Sequence, residues 1–253
     1  MRSRELDEFF RNLLAIDSFN GIDSSLNGLQ ADNDGSDIKK IAFAVDASLE
    51  TFKRAALAGA GMVFVHHGLF WKVPLRVTGN HRKRLHTLLE KNIALYAVHL
   101  PLDQHPSFGN NIALASLLGI KEPKPFGLYN GIKLGYIGKL EKPLTTDEAA
   151  KRIAFMDREP LGIYNFGVKE NQSAAVISGG APDMALSAIE QGADLFVSGE
   201  MSHTMYNECL EGGLNMVAGG HYNTEVWGAR KVMEECASQL NLEVEFIDVP
   251  TGL

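Results

Sequence analysis

Cysteine is nearly absent: Cys209 and Cys236 are the only two in 253 residues. They lack C-x-x-C metal or redox spacing, and a pair placed in separate helical stretches suits reduced core thiols better than a disulfide framework. Long apolar runs are missing too, since none approaches the ~20 residues that span a bilayer. The N-terminal stretch MRSRELDEFFRNLLAI sets Leu6, Phe9, Phe10, Leu13 and Leu14 at helical spacing among charges. It has neither the apolar core nor the small-residue cleavage site of a signal peptide, so a cytoplasmic protein without membrane partners is expected. Basic charge is the scarcer sign, 24 residues against 31 acidic, for a net charge of -7. Nothing global therefore favours nucleic acid. The one dense basic run, HRKRLH at 81–86, reads first as the solvated opening turns of a helix; local contact with an anionic substrate is the functional alternative.

What is present is the profile of an ordinary globular protein, 45% hydrophobic and 22% charged, which suits one large domain or two lobes. After the N-terminal helix and an Asn/Asp/Ser/Gly-rich loop, the pattern alternates strand and helix, as in α/β folds. IKKIAFAV (38–45), MVFV (62–65) and IALYAV (93–98) read as strands, and SLETFKRAALAG as a helix capped by Ser48. NNIALASLLG is a helix closed by Gly119, and 124–140 is a hairpin turning at Asn130 and Gly131. Thr145 to Glu148 forms a capping-box signature. The second half repeats the logic. GAGMVFVHHG (59–68) lies over GADLFVSGEM (192–201) without a gap, and LEKNIALYAVH (89–99) resembles LEGGLNMVAGG (210–220). The expectation is two similar α/β lobes, about 1–123 and about 124–253.

In open α/β sheets ligands gather at the carboxyl ends of the strands. Three such ends carry histidine or carboxylate: VHHG with His66 and His67, AVHLPLD with His99 and Asp103, and AGGHYNTE with His221 and Glu225. The last two are four apart at a helix start, so both side chains can converge on one point. Adjacent strand residues point to opposite faces, so His66 and His67 share one ion only if the chain turns sharply at Gly68. A pair of ions removes that difficulty, with Asp103 or Glu225 bridging across ~3.5 to 4 Å. Each signal alone has a plain reading: a strand-end His pair can be hydrogen-bonded structure, H-x-x-x-E arises on helices by chance, and Asp103 can cap a turn. Their coincidence in a chain with 8 histidines favours metal. Nitrogen and oxygen ligands suit Zn, Mn, Fe or Co. Glu200, at the end of the strand equivalent to MVFV, and His203 are candidates for proton transfer or for orienting a ligand, with helix capping the plain alternative for Glu200. Trp71 and Phe70 read as packing residues, with stacking on a planar ligand the secondary reading.

NGLQ (27–30), VHHGLFW (65–71), HLPLDQHPSFGNN (99–111), SGE (198–200) and GGHYNTE (219–225) resemble the signature blocks of the NGG-interacting-factor-three-like family. Its members are widely labelled type-two GTP cyclohydrolase I homologues. The likeness spans nearly the whole chain and corresponds to the short form, without an inserted domain. It implies two similar α/β lobes with a metal site in the cleft between them, a dinuclear centre held by His66, His67, Asp103, His221 and Glu225 with Glu225 bridging, and a ring-shaped homohexamer. The activity it implies is a metal-dependent hydrolase, with Glu200, His99 or His203 moving protons and a nucleotide or other small molecule as substrate. If that substrate is GTP, water opens the imidazole ring of guanine. The alternative is a non-enzymatic metal-binding scaffold or regulatory protein, because a shared fold and site do not fix a substrate.

Overall fold

A computed structural model describes residues 1–253. In chain order the elements are α1 (Ser3–Leu14), β1 (Gly28–Ala31), β2 (Lys40–Asp46), α2 (Leu49–Leu57), β3 (Met62–His67), α3 (Gly79–Glu90) and β4 (Ala94–Ala97). There follow α4 (Leu100–Gln104), α5 (Asn110–Leu118), β5 (Ile120–Tyr129), β6 (Ile132–Leu144), α6 (Thr146–Ile153), β7 (Gly162–Tyr164), β8 (Asn171–Val176) and α7 (Ala185–Glu190). The chain closes with β9 (Leu195–Ser198), α8 (His203–Gly212), β10 (Asn215–Ala218), α9 (His221–Gln239) and β11 (Glu243–Phe246). No helix is long and apolar enough to cross a membrane.

Two compact units result. One holds residues 1–102 and 228–249, the other 103–227 and 250–253. The sequence places a single lobe boundary near 123; here the chain passes between units at 102, again at 227 and at 249. The cause is strand pairing. β5 and β6 form one antiparallel hairpin, so the chain before 123 is tied to the chain after it, while β11 pairs in parallel with β2.

The first unit is built on a five-stranded sheet of order β1-β4-β3-β2-β11. The period-2 pattern of β3 divides its side chains. Val63 and Val65 join Ala42, Ala44, Leu95, Phe52 and Leu88 in one buried cluster. Phe64 meets Phe43, Tyr96 and Phe10 of α1 at ring separations of 5.3, 5.9 and 5.0 Å. β3 is thus covered on both faces, which is why MVFV carries no polar residue. Ser48 caps α2, its Oγ accepting from Thr51 N at 3.0 Å.

The second unit has a six-stranded sheet of order β5-β6-β8-β9-β10-β7. Leu114, Leu118, Ala149, Ile153, Val176 and Val197 fill one face, and Ala175, Phe196, Ala185, Met205 and Cys209 the other. The β5–β6 hairpin turns at Asn130 and Gly131, both with positive φ (48° and 86°), the demand of a two-residue turn that matches strand twist. Thr145 and Glu148 exchange the two capping-box bonds at the start of α6.

The internal repeat is present in the topology. In each sheet three parallel strands are flanked by an antiparallel one: β2, β3 and β4 beside β1, and β8, β9 and β10 beside β7. The register agrees as well. Met62 pairs with Ala94 and Leu195 with Asn215, the partners that aligning the two pairs of blocks requires. Two short strands, β1 within NGLQA and β7, have no strand-like pattern in the sequence; each is an edge strand made by pairing with β4 or β10.

Candidate metal-ligand clusters

In the first unit β3 ends at His67, with β2 on one side and β4 on the other. His66 continues the face of Phe64 and is fully buried, while His67 is half-buried. Each ring is tied to the strand on its own side. His66 Nδ1 lies 3.0 Å from the carbonyl of Val98, just past β4, and His67 Nδ1 lies 2.8 Å from Asp46 Oδ1 at the end of β2. The two rings remain 4.5 Å apart by centroid although they are neighbours on a strand. His99 is the third imidazole, 5.1 Å from His66 and 5.7 Å from His67. The three offer ligand nitrogens within 4.8 Å of one another.

The bonds at Nδ1 decide what these rings can do. A carbonyl only accepts, so His66 must carry its proton on Nδ1, which leaves the neutral ring's lone pair on Nε2. His99 Nδ1 lies 2.9 Å from Asp23 Oδ1. Asp23 is itself buried and accepts from Ser25 N, Asn27 Nδ2 and Leu100 N, each at 2.9 Å. Burial alone would raise its carboxyl, but the bonds from His99 and Asn27 and the charge of His99 outweigh burial and hold it down to about 2. The NGLQ block completes the frame. Asn27 Oδ1 accepts from His99 N at 2.8 Å, and Gln30 Oε1 accepts from Leu69 N at 2.7 Å and Phe70 N at 3.2 Å. Gln30 Nε2 donates to Phe70 O at 3.1 Å, so this side chain locks the turn just past His67. Trp71 packs edge-on against His99 at 5.0 Å and donates Nε1–H to Gly68 O, so it supports the cluster.

The second unit gathers the carboxylates. Asp103 on α4 is buried, and its Oδ1 accepts from Asn110 Nδ2 at 2.9 Å and Ser178 Oγ at 3.2 Å. His221 opens α9, and Glu225 one turn on brings Oε2 to 3.2 Å from His221 Nε2. On the ring's other side Nδ1 is 2.6 Å from Glu200 Oε1. The bond to Glu225 and the charges of both carboxylates push His221 up to about 9, against the downward pull of burial. Asp103 and Glu225 offer oxygens within 4.8 Å of each other.

Gly179, just past β8, shows how closely the backbone is fitted around these candidate ligand atoms. Its φ is +65°, and a Cβ there would overlap Glu225 Oε1 and stand 3.1 Å from His221 Nε2. Glycine therefore lets the backbone pass close against the ligand atoms, while Gly179 N is anchored to Thr224 Oγ1 at 3.0 Å. Imidazole nitrogens with carboxylate oxygens form a donor set for a divalent transition ion.

Of the expected site residues, the structure brings His66 and His67 together with His99, and His221 with Glu225 and Glu200. His203 begins α8 with an exposed side chain. Sequence reasoning missed Asp46, Asp23, Asn110 and Gly179. Asp46 was within reach of the strand-end rule, because it closes IAFAVD as His67 closes MVFVHH. Asp23 was not, since it lies in a loop and meets His99 across 76 residues.

A sequence model of the Duf34/NIF3 (NGG1p interacting factor 3) family matches residues 1–252. Relatives named GTP cyclohydrolase 1 type 2 homolog include that of Archaeoglobus fulgidus, 38% identical over 100% of both chains. Those of Treponema pallidum (36%, 100% of both) and Pyrococcus horikoshii (40%, 98% of both) carry the same name. Among solved structures, protein ybgI, titled as of unknown function, superposes with a TM-score of 0.91 at 36% identity over 100% of both chains. TTHA1606 from Thermus thermophilus gives 0.88 at 34% over 100% of both chains. Reduced HcgD from Methanocaldococcus jannaschii gives 0.83 at 33% over 98% of both.

Proposed function

The chain belongs to the Duf34/NIF3 family, and from that premise we propose that it is a hydrolase dependent on a dinuclear metal centre. The proposed ligands are His66, His67, Asp103, His221 and Glu225, with Glu225 bridging and His99 as a further nitrogen donor. One observation carries the reading. Each imidazole has Nδ1 committed to an oxygen, of Val98, Asp46, Asp23 or Glu200, which turns Nε2 into the ligand nitrogen. A pair of divalent ions would polarise the bond to be attacked and acidify a water.

The chain's own residues then have distinct duties. Asp46, Asp23 and the Val98 carbonyl fix ring orientation in the first cluster, and Glu200 does so for His221. Among the proton-transfer candidates Glu200, His99 and His203, Glu200 has the best station. Its side chain is 46% exposed while one oxygen rests on His221 Nδ1, so it can take up a proton and pass it to solvent. The metal is one of Zn, Mn, Fe or Co, and the assembly a homohexamer that light scattering would read. GTP is the first substrate to test, because the relatives carry that name.

Elemental analysis joined to a nucleotide and phosphoester screen on one preparation is the decisive experiment. About two divalent ions per chain and turnover are expected, both lost in His66→Ala and Glu225→Ala. Turnover surviving in a metal-free variant would overturn the proposal, and stoichiometric metal without any turnover would favour a metal-binding scaffold.

A further inference from the structure

The charge of the first unit is distributed unevenly. From Thr51 to Leu89 there is no aspartate or glutamate, yet this stretch holds Lys53, Arg54, Lys72, Arg76, Arg82, Lys83 and Arg84, in a chain of net charge -7. Arg54 is answered by Glu50 at 2.8 Å. Lys72 reaches only a carbonyl, that of Gly21 at 3.4 Å. Arg76, Arg82 and Lys83 are exposed and, like the half-buried Arg84, pair with no carboxylate. Arg84 Nε and His81 Nε2 are buried atoms with no hydrogen-bond partner, although buried donors are nearly always satisfied.

This arrangement works against stability. The cations crowd the opening turns of α3, which contain no acid, and positive charge at that end of a helix costs about 0.3–1 kcal/mol per residue. A solvated surface helix would mix signs. Position gives the cost a purpose. The segment leaves the histidine cluster directly: Trp71 packs on His99 at 5.0 Å, Lys72 follows it, and Phe70 meets His81, the first residue of the basic run, edge-to-face at 5.5 Å. α3 begins at the same carboxyl edge of the sheet where His66, His67 and His99 stand.

We propose that Lys72, Arg76, Arg82, Lys83 and Arg84 form the binding site for the phosphate or polyphosphate group of a small-molecule substrate processed at the adjacent histidine cluster. The proposal rests on reading that cluster as a hydrolytic metal centre, and it adds the residues that would hold the substrate's phosphate. Arginine forks recognise phosphate oxygens in a bidentate way. A duplex nucleic acid is the poorer match. It presents one charge per ~1.7 Å of axis and calls for an extended basic stripe, whereas these cations fall within residues 72–84 of an acidic chain.

The test is calorimetric titration of the purified, metal-containing protein with inorganic tripolyphosphate at low and physiological salt. Saturable binding that weakens with salt is expected, together with a loss of at least about tenfold in affinity in an Arg82→Glu, Lys83→Glu variant whose metal content is unchanged. Carboxylates in the first turns of α3 suit the helix dipole, so this variant should fold; Lys72→Ala with Arg76→Ala, in the loop ahead of α3, is the independent check. Equal binding by wild type and both variants overturns the proposal, as does tighter binding of a short DNA duplex than of tripolyphosphate. The two readings fail separately. Metal present with variant-insensitive binding sinks the phosphate site alone, while metal-free wild type that binds tripolyphosphate through these residues sinks the hydrolase reading and leaves the site standing.

Discussion

Glu200 Oε1 lies 2.6 Å from His221 Nδ1, while Glu225 Oε2 approaches the opposite nitrogen of the same ring at 3.2 Å. The imidazole is held between a carboxylate that orients it and one that shares its ligand side. Glu200→Gln keeps the shape but loses the negative charge that makes the ring a better donor. The expected result is metal binding weakened about 10- to 100-fold with the fold intact, read by competition with a chromophoric chelator. An unchanged affinity would return Glu200 to a purely structural role.

Gly179 separates geometry from strain. Alanine there must adopt φ of +65° and push its Cβ into Glu225 Oε1. Gly192 has nearly the same φ, +68°, with nothing within 4 Å of an added Cβ. Both alanine variants should lose about 1–2 kcal/mol to left-handed strain, roughly 2–4 °C in Tm per kcal/mol for a chain of this size. Only Gly179→Ala should also lose metal. Equal metal content in the two variants would mean that the space beside Glu225 is not used.

Asp23 is a stability element with a defined acid limb. Four donors converge on it, and an amide in its place cannot accept from all of them, so Asp23→Asn should cost about 2–4 kcal/mol near neutral pH. Its carboxyl sits at about 2 when folded against an ordinary 3.8. A depressed pKa stabilises above the unfolded value and loses that contribution as pH falls through the folded one. The gap between wild type and variant should therefore be fully developed by about pH 5 and narrow toward pH 2. Denaturant titrations across that range would show it; a pH-independent gap would contradict the assignment.

The two thiols should be inert in the native protein. Cys209 and Cys236 are both fully buried, and burial with nearby glutamates raises both thiols, Cys236 to about 12. At pH 8 the thiolate fraction of Cys236 is then roughly one part in ten thousand, and only the thiolate reacts. Alkylation should label neither residue until denaturant is added, with mass spectrometry locating the adducts. Rapid labelling of native Cys236 would show that the core around it opens.

Much of the fold is local and so was legible. MVFV, IALYAV and the LFV of ADLFVSGE are buried strands because nothing in them needs water; Ser48 and Thr145 begin helices by accepting a backbone N–H on their hydroxyls, and Gly119 ends one through its own N–H. The repeat was legible because buried parallel strands of the same register draw on the same residues. β1 and β7 were not, since each becomes a strand only by lying beside another. The unit boundaries escaped for the same reason: β11 follows the chain's longest helix yet pairs with β2.

The candidate site divides along similar lines. The ligand types, their strand-end positions and the one-turn spacing of His221 and Glu225 are properties of the sequence, because strand and helix periodicities alone aim them. Which nitrogen of each imidazole is presented belongs to tertiary structure. It depends on Val98, Asp46, Asp23 and Glu200, which come from other strands and loops. So does the placing of His99 beside His66 and His67, since the bond that orients it reaches back 76 residues to a loop aspartate with no periodicity to betray it. Sequence determined which atoms are available; folding decided which way they face, because a hydrogen bond between distant segments leaves no pattern along the chain.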